Sequence, residues 1–174
     1  MLEGDKKEVR TVTWSPTGEW LAAGGLAGTV RVWNADSGQL HRELRHVDPA
    51  VEVHSPVYAL AWDPQGRWLA AGVHGWYREC IVIWDQQTWS ELTRFADSMS
   101  GVSVAWSPDG NQLAMGNWRH DSRIWNSTTW EESATLFGHT GAVKSVAWSP
   151  DGASLALEGS AFRLSADERT VVFG

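Results

Sequence analysis

The sequence predicts an all-β repeat protein built from four units, each of four short antiparallel strands. Three observations predict it. The phrase "VAWSPDG" occurs at Val104–Gly110 and again at Val146–Gly152, with looser copies "VTWSPTG" at Val12–Gly18 and "LAWDPQG" at Leu60–Gly66. The tryptophans anchoring these phrases, Trp14, Trp62, Trp106 and Trp148, lie 48, 44 and 42 residues apart, a period that marks stacked supersecondary repeats. No window keeps a helical period. Instead, short runs rich in β-branched and aromatic residues alternate between turn signals.

Each element follows in order. Strand a ends at the anchor Trp. The next residues, "SPTG", "DPQG" or "SPDG", are turn chemistry: Pro presets φ at a central turn position and Gly accepts positive φ. Strand b contains Leu21, Leu69, Leu113 or Leu155, seven residues past the anchor. Strand c is "TVRVWN" ending at Asn34, "CIVIWD" ending at Asp85 and "DSRIWN" ending at Asn126. Strand d is "QLHREL" (39–44), "WSELTRF" (89–95) and "WEESATLF" (130–137). The fourth unit departs: Glu158 stands where its siblings have Gly24, Gly72 and Gly116, and the strand c tryptophan is missing. Phe162–Ser165 is its candidate strand c and Thr170–Phe173 its candidate strand d.

Composition narrows the function classes. The chain has 174 residues, 43% hydrophobic and 20% charged, in the range of a soluble globular domain. A net charge of −7 argues against non-specific binding to nucleic acid or an anionic membrane, which both need a basic face. The one cysteine, Cys80, allows no internal disulfide and reads as a small core hydrophobe. "MLEGDKKEVR" lacks the apolar run of a secretory leader, and no stretch of 18 apolar residues occurs, so the expected location is the cytoplasm. The 13 tryptophans all fall at repeat positions. Trp14, Trp62, Trp106 and Trp148 of strand a, with Trp33, Trp84 and Trp125 of strand c, are expected to fill the space between units. Trp20 and Trp68 open strand b, Trp89 and Trp130 open strand d, and these four are expected at unit edges or the bottom rim.

With these phrases in place, the chain resembles the WD40-repeat family. Trp84-Asp85 matches its terminal dipeptide, Trp33-Asn34 and Trp125-Asn126 its Asn variant, and Gly138-His139 its Gly-His pair. The resemblance implies a β-propeller of four-stranded blades at about residues 5–45, 54–96, 97–137 and 139–174, forming one domain over 1–174. It also implies that the b–c and d–a loops share one end, the top. The family's buried polar network is incomplete throughout. Its turn-Asp position holds Ala27, Arg78 and Arg119, and its His position Asp5, Asp97 and His139, with His54 one residue out of phase.

Two b–c turns stand out on that end. "GWYREC" carries Trp76, Tyr77 and Arg78, and "NWRHDS" carries Trp118, Arg119 and His120, residue types enriched at binding hot spots. They are the candidate partner-binding residues. The longer d–a connection Arg45–Pro56 falls on the same end. No zinc-ligand spacing, phosphate loop or nucleophile elbow occurs, so no metal, cofactor or catalytic residue is expected. The expected function is a non-enzymatic protein–protein interaction scaffold. The alternatives are a self-assembling structural half-propeller and a channel enzyme or small-ligand binder. Four blades fit three arrangements: a homodimer closing an eight-bladed ring, a fragment of a longer propeller, and a closed four-bladed monomer.

Overall fold

Each repeated turn phrase ties strand a to strand b through a side chain. Ser15, Asp63, Ser107 and Ser149 follow the anchor tryptophans. A side-chain oxygen of each accepts a backbone N–H at the start of strand b, from Trp20, Trp68 and Gln112, or just before it, from Ser154, at 3.0, 2.8, 2.9 and 2.9 Å. The glycines closing the phrase, Gly18, Gly66, Gly110 and Gly152, take φ of 74°, 73°, 73° and 70°, the left-handed region that glycine enters without a Cβ penalty. The residue after each strand c tryptophan performs the same service at the next turn. Asn34, Asp85 and Asn126 accept from the backbone N–H groups of Ser37, Thr88 and Thr129 at 2.9, 2.9 and 3.0 Å. That is why Asp and Asn alternate there: both offer the short side-chain acceptor an Asx turn needs.

The structure, a computed structural model, describes residues 8–45, 55–74, 79–97, 101–159 and 170–172. These form four sheets. The first is β1 (Val9–Trp14), β2 (Trp20–Gly25), β3 (Thr29–Asn34) and β4 (Leu40–Arg45). The second is β5 (Val57–Trp62), β6 (Trp68–Val73), β7 (Glu79–Asp85) and β8 (Glu91–Asp97). The third is β9 (Gly101–Trp106), β10 (Gln112–Asn117), β11 (Ser122–Asn126) and β12 (Glu132–Leu136). All three are antiparallel meanders, one blade each. The fourth holds β13 (Val143–Trp148), β14 (Leu155–Gly159) and β15 (Thr170–Val172). The first strands meet in succession, β1 on β5, β5 on β9 and β9 on β13.

Blade 4 differs from expectation. Thr170–Val172, within the expected strand d Thr170–Phe173, pairs directly with β14, and in parallel. It occupies the place of strand c. A strand that skips its hairpin partner arrives from the other end, which a short connection cannot achieve. Phe162–Ser165, the expected strand c, lies outside the described residues.

The core sits between blades. Ala22, Val30, Val32 and Leu44 of blade 1 pack with Trp62, Leu69 and Trp84 of blade 2. Ala59, Ala70, Ile81 and Ile83 of blade 2 pack with Trp106, Leu113 and Trp125 of blade 3. Ala114, Ile124 and Leu136 of blade 3 pack with Val143, Val146 and Leu155 of blade 4, with Trp148 half-buried beside them. Each anchor tryptophan therefore faces the preceding blade. Trp62 and Trp106 are 7% exposed, whereas Trp14, expected in the core, is 58% exposed. The correction has a plain cause: the face that buries an anchor belongs to the blade before it, and no described residue supplies that face for blade 1.

The four tryptophans expected at unit edges or the bottom rim join the interblade core at the bottom. Trp89 packs edge-on against Trp20 and Trp62, at ring centroid distances of 5.6 and 6.0 Å. Trp130 packs against Trp68 and Trp106 at 5.2 and 6.1 Å. Trp89 and Trp130 have φ of 55° and 59°, and the equivalent residue of blade 1 is Gly38, φ 67°. A bulky residue in the left-handed region is uncommon, and here the ring's burial holds it there.

Candidate functional site

The b–c turn of blade 3 is built from the inside outward. Asn117 closes β10 fully buried. Its Oδ1 accepts the backbone N–H of Arg119 at 2.7 Å and that of Asp121 at 3.4 Å, and its Nδ2 donates to Asp121 Oδ1. Asp121 is itself buried, with Oδ2 3.9 Å from the Arg123 guanidinium. His120 sits at φ 76°, a conformation histidine adopts more readily than bulkier residues. This buried Asn–Asp clasp turns the intervening residues outward. Trp118, Arg119 and His120 are all exposed, Trp118 to 45%. The frame fixes the backbone of the turn that carries the exposed ring, so the turn itself loses little further freedom on binding.

The structure therefore places three of the six candidate residues together on one exposed turn. Trp76, Tyr77 and Arg78 lie outside the described residues. So does most of the long d–a connection; Ser55 and Pro56 lead directly into β5.

Two features escaped the sequence reading. The first is Asp121. Counting six residues back from the strand c tryptophan gives Arg119, but the acid that organises the turn stands four back. The Asn-x-x-x-Asp spacing inside "NWRHDS" was its signal. The second is an inner rim on the same end. β1, β5 and β13 each carry a register shift near their start, at Val9/Thr11, Val57/Ala59 and Val143/Ser145. The extra residues are Arg10, Tyr58 and Lys144, and a bulge re-aims the side chain it carries. The Arg10 guanidinium lies 5.1 Å from the Tyr58 ring centroid, and Tyr58 meets His74 edge-on at 5.6 Å. Arg10 also pairs with Glu8 at 3.3 Å.

His139, of the Gly-His pair, is buried at the entry to blade 4, and burial pulls its pKa below the ordinary histidine value. A Cβ on Gly159 would sit 2.9 Å from its Nδ1, so the end of β14 closes directly over the ring. Among the described residues, no three His, Cys, Asp or Glu side chains converge as a metal site would require, and no helix is long and apolar enough to cross a membrane.

Comparison with known proteins agrees with this architecture. Residues 1–34 match the family model described as WD domain, G-beta repeat, and residues 45–173 the one described as eukaryotic translation initiation factor eIF2A. The protein FIZZY-RELATED 2 of Arabidopsis thaliana is 32% identical over 141 residues, which are 80% of this chain and 28% of that protein. THO complex subunit 3 of the same plant is 29% identical over 125 residues, 66% of this chain and 35% of that one. The chain thus spans about a third or less of these relatives. The crystal structure of the RRP9 WD40 repeats superposes with a TM-score of 0.74 at 22% identity, covering 83% of this chain and 43% of that one. The chain belongs to the WD40-repeat β-propeller family, with residues 45–173 in the family described as eukaryotic translation initiation factor eIF2A.

Proposed function

We propose that the chain is a non-enzymatic scaffold that recognises a partner protein in the cytoplasm through the top end of its blades. One observation carries the reading: Trp118 is 45% exposed next to exposed Arg119 and His120, on a turn clasped by buried Asn117 and Asp121. An aromatic anchor beside a cation, on a turn whose backbone is held by a buried frame, is the composition of an interface hot spot. Arg10 and Tyr58 on the inner rim extend that surface, and Trp76, Tyr77 and Arg78 belong to it by repeat position. The relatives support the class: THO complex subunit 3 is by its name part of a larger assembly.

The test is proximity cross-linking from a photoreactive residue at position 118 in cells, followed by affinity measurement with the captured protein. Trp118→Ala should weaken binding roughly 30-fold or more, the loss of about 2 kcal/mol expected for a hot-spot tryptophan. Unchanged affinity in Trp118→Ala and in Arg119→Ala would move the site off this turn.

A further inference from the structure

Phe137 is 76% exposed, more than any other large hydrophobic among the described residues, and it lies outside all three interblade cores. It follows β12 at the top end of blade 3. One row of paired residues crosses the blade there: Leu136 pairs with Ser122, and Ser122 with Gly116. The chain leaves this row at Phe137 on the outer side and at the Trp118–His120 turn nearer the centre. The row continues inwards to blade 4. A Cβ on Gly116 would lie 2.6 Å from the Val143 carbonyl oxygen, and the next residue, Lys144, is the exposed bulge residue of β13. Adjacent strands stand about 4.8 Å apart, so the strands that carry Phe137 and Trp118 are separated by about 10 Å across β11.

Charge is divided between the two ends of the blades. The bottom turns carry exposed Glu19, Asp36, Asp109, Glu131 and Asp151, and the cation among their described residues, Arg67, is bonded to Asp63. The top corner of blade 3 has the opposite sign. Arg119 and Lys144 are exposed, beside exposed His120. Asp121 is buried and engaged by Asn117 and Arg123, and Glu158 is exposed one strand further on, in β14. A chain of net charge −7 thus turns a small cationic corner outwards, framed by two exposed rings. The field of such a molecule repels an anionic segment at the bottom and steers it to this corner. Two cations are too few to track a phosphate backbone, which binds through many such contacts, whereas they suit one or two carboxylates.

We propose that the partner docks here through an extended segment of its own chain that carries Asp or Glu between two apolar side chains. One apolar side chain rests on Phe137 and the other on Trp118. The carboxylate between them accepts from the Arg119 guanidinium, a charge-assisted bond whose planar fork matches a carboxylate, and Lys144 adds positive field on the inner side. An extended chain advances about 3.3 Å per residue, so the two apolar residues stand roughly three positions apart. The proposal rests on the top end being the partner site and adds the chemistry of what it receives.

The experiment is selection of displayed short random peptides on the immobilised intact chain, followed by fluorescence anisotropy with the enriched peptides. The expected consensus is an acid flanked by apolar residues at that spacing. Phe137→Ala and Arg119→Glu should each weaken these peptides roughly tenfold, the scale of an interface residue that matters. Both side chains are exposed, and thermal melts confirm that the variants keep their fold. Repeating the selection on Arg119→Glu should exchange the acid for Lys or Arg. Leu40→Ala, an exposed apolar site at the opposite end, should change nothing. Enriched peptides that lack an acid yet are lost with Trp118→Ala overturn the proposal and leave the top end as the partner site. Peptides indifferent to Trp118→Ala, Phe137→Ala and Arg119→Glu overturn both. Displacement of the peptides by an oligouridylate of equal or higher affinity overturns the proposal in favour of a nucleic acid. An empty selection overturns the linear segment, and cross-linking from position 118 then decides whether the top end binds a folded surface instead.

Discussion

Trp106 and Trp14 occupy the same place in the same phrase, and the molecule treats them oppositely. Trp106 is 7% exposed, stacked against Trp68 at 5.8 Å and bonded through Nε1 to Ala61. Trp14 is 58% exposed. The residue is identical and the strand geometry repeats; only the preceding blade differs. A repeat encodes one half of an interface, and its neighbour decides whether that half is core or surface. Trp62 is intermediate: buried, but its Nε1 has no partner among the described residues.

The comparison breaks most sharply under truncation. Trp106→Ala should cost about 3–5 kcal/mol, the range for emptying a buried aromatic site, and lower the melting temperature by about 10 °C. Trp14→Ala should cost less than about 1 kcal/mol in dilute solution, as surface substitutions do. Thermal melts of the two variants in dilute solution measure both losses. Equal losses at low concentration would mean that Trp14 is buried in solution.

The contrast also shows what could be read in advance. The phrases gave the strands, the turns and the pairing of a with b, because those depend on neighbours in sequence: Ser15 reaches Trp20, and Asn34 reaches Ser37. Exposure of Trp14 depends on a blade that the phrase does not describe. The left-handed Trp89 and Trp130 were equally hidden. Nothing local favours a bulky residue at positive φ, and only the rings across the interface hold it there. The parallel pairing of Thr170–Val172 runs against the repeat, so extrapolating the repeat could not reach it. On the candidate turn, residue types picked out Trp118, Arg119 and His120, but the frame behind them rested on Asp121, two places from where the family pattern puts it.

A smaller effect sharpens the bottom of the same interface. At position 130 the backbone sits at φ 59°. Trp130→Ala removes the ring and leaves a Cβ in a region that L residues rarely adopt. Trp130→Gly removes the same ring without that strain. Both variants should lose stability, and the glycine variant should retain about 0.5–1 kcal/mol more than the alanine variant. Chemical denaturation resolves that difference. Alanine equalling or exceeding glycine would show that the turn relaxes out of the left-handed region once the ring is gone. Gly38, at φ 67° in blade 1, is the native precedent for a ring-free turn.

The smallest expected effect is on pH, and it separates blade 4 from the turns. Burial lowers the His139 pKa from 6.5, so the unfolded chain binds a proton more readily than the folded one. Its contribution is complete above 6.5 and declines as pH falls below it. Asp109 and Asp151 behave differently. The Ser107 and Ser149 hydroxyls, then the backbone N–H groups of Asn111 and Ala153, hold these carboxyls below the ordinary 3.8. Their contribution is complete above 3.8 and is lost only as pH falls through the lowered values. Acidification should therefore loosen the chain in two stages: first around His139, then at the "SPDG" turns of blades 3 and 4. Melting temperature against pH checks the order, and His139→Gln should remove the first stage while leaving the second. A single transition below 3.8, unchanged in that variant, would mean that His139 titrates as a solvent-exposed histidine and that the entry to blade 4 is open.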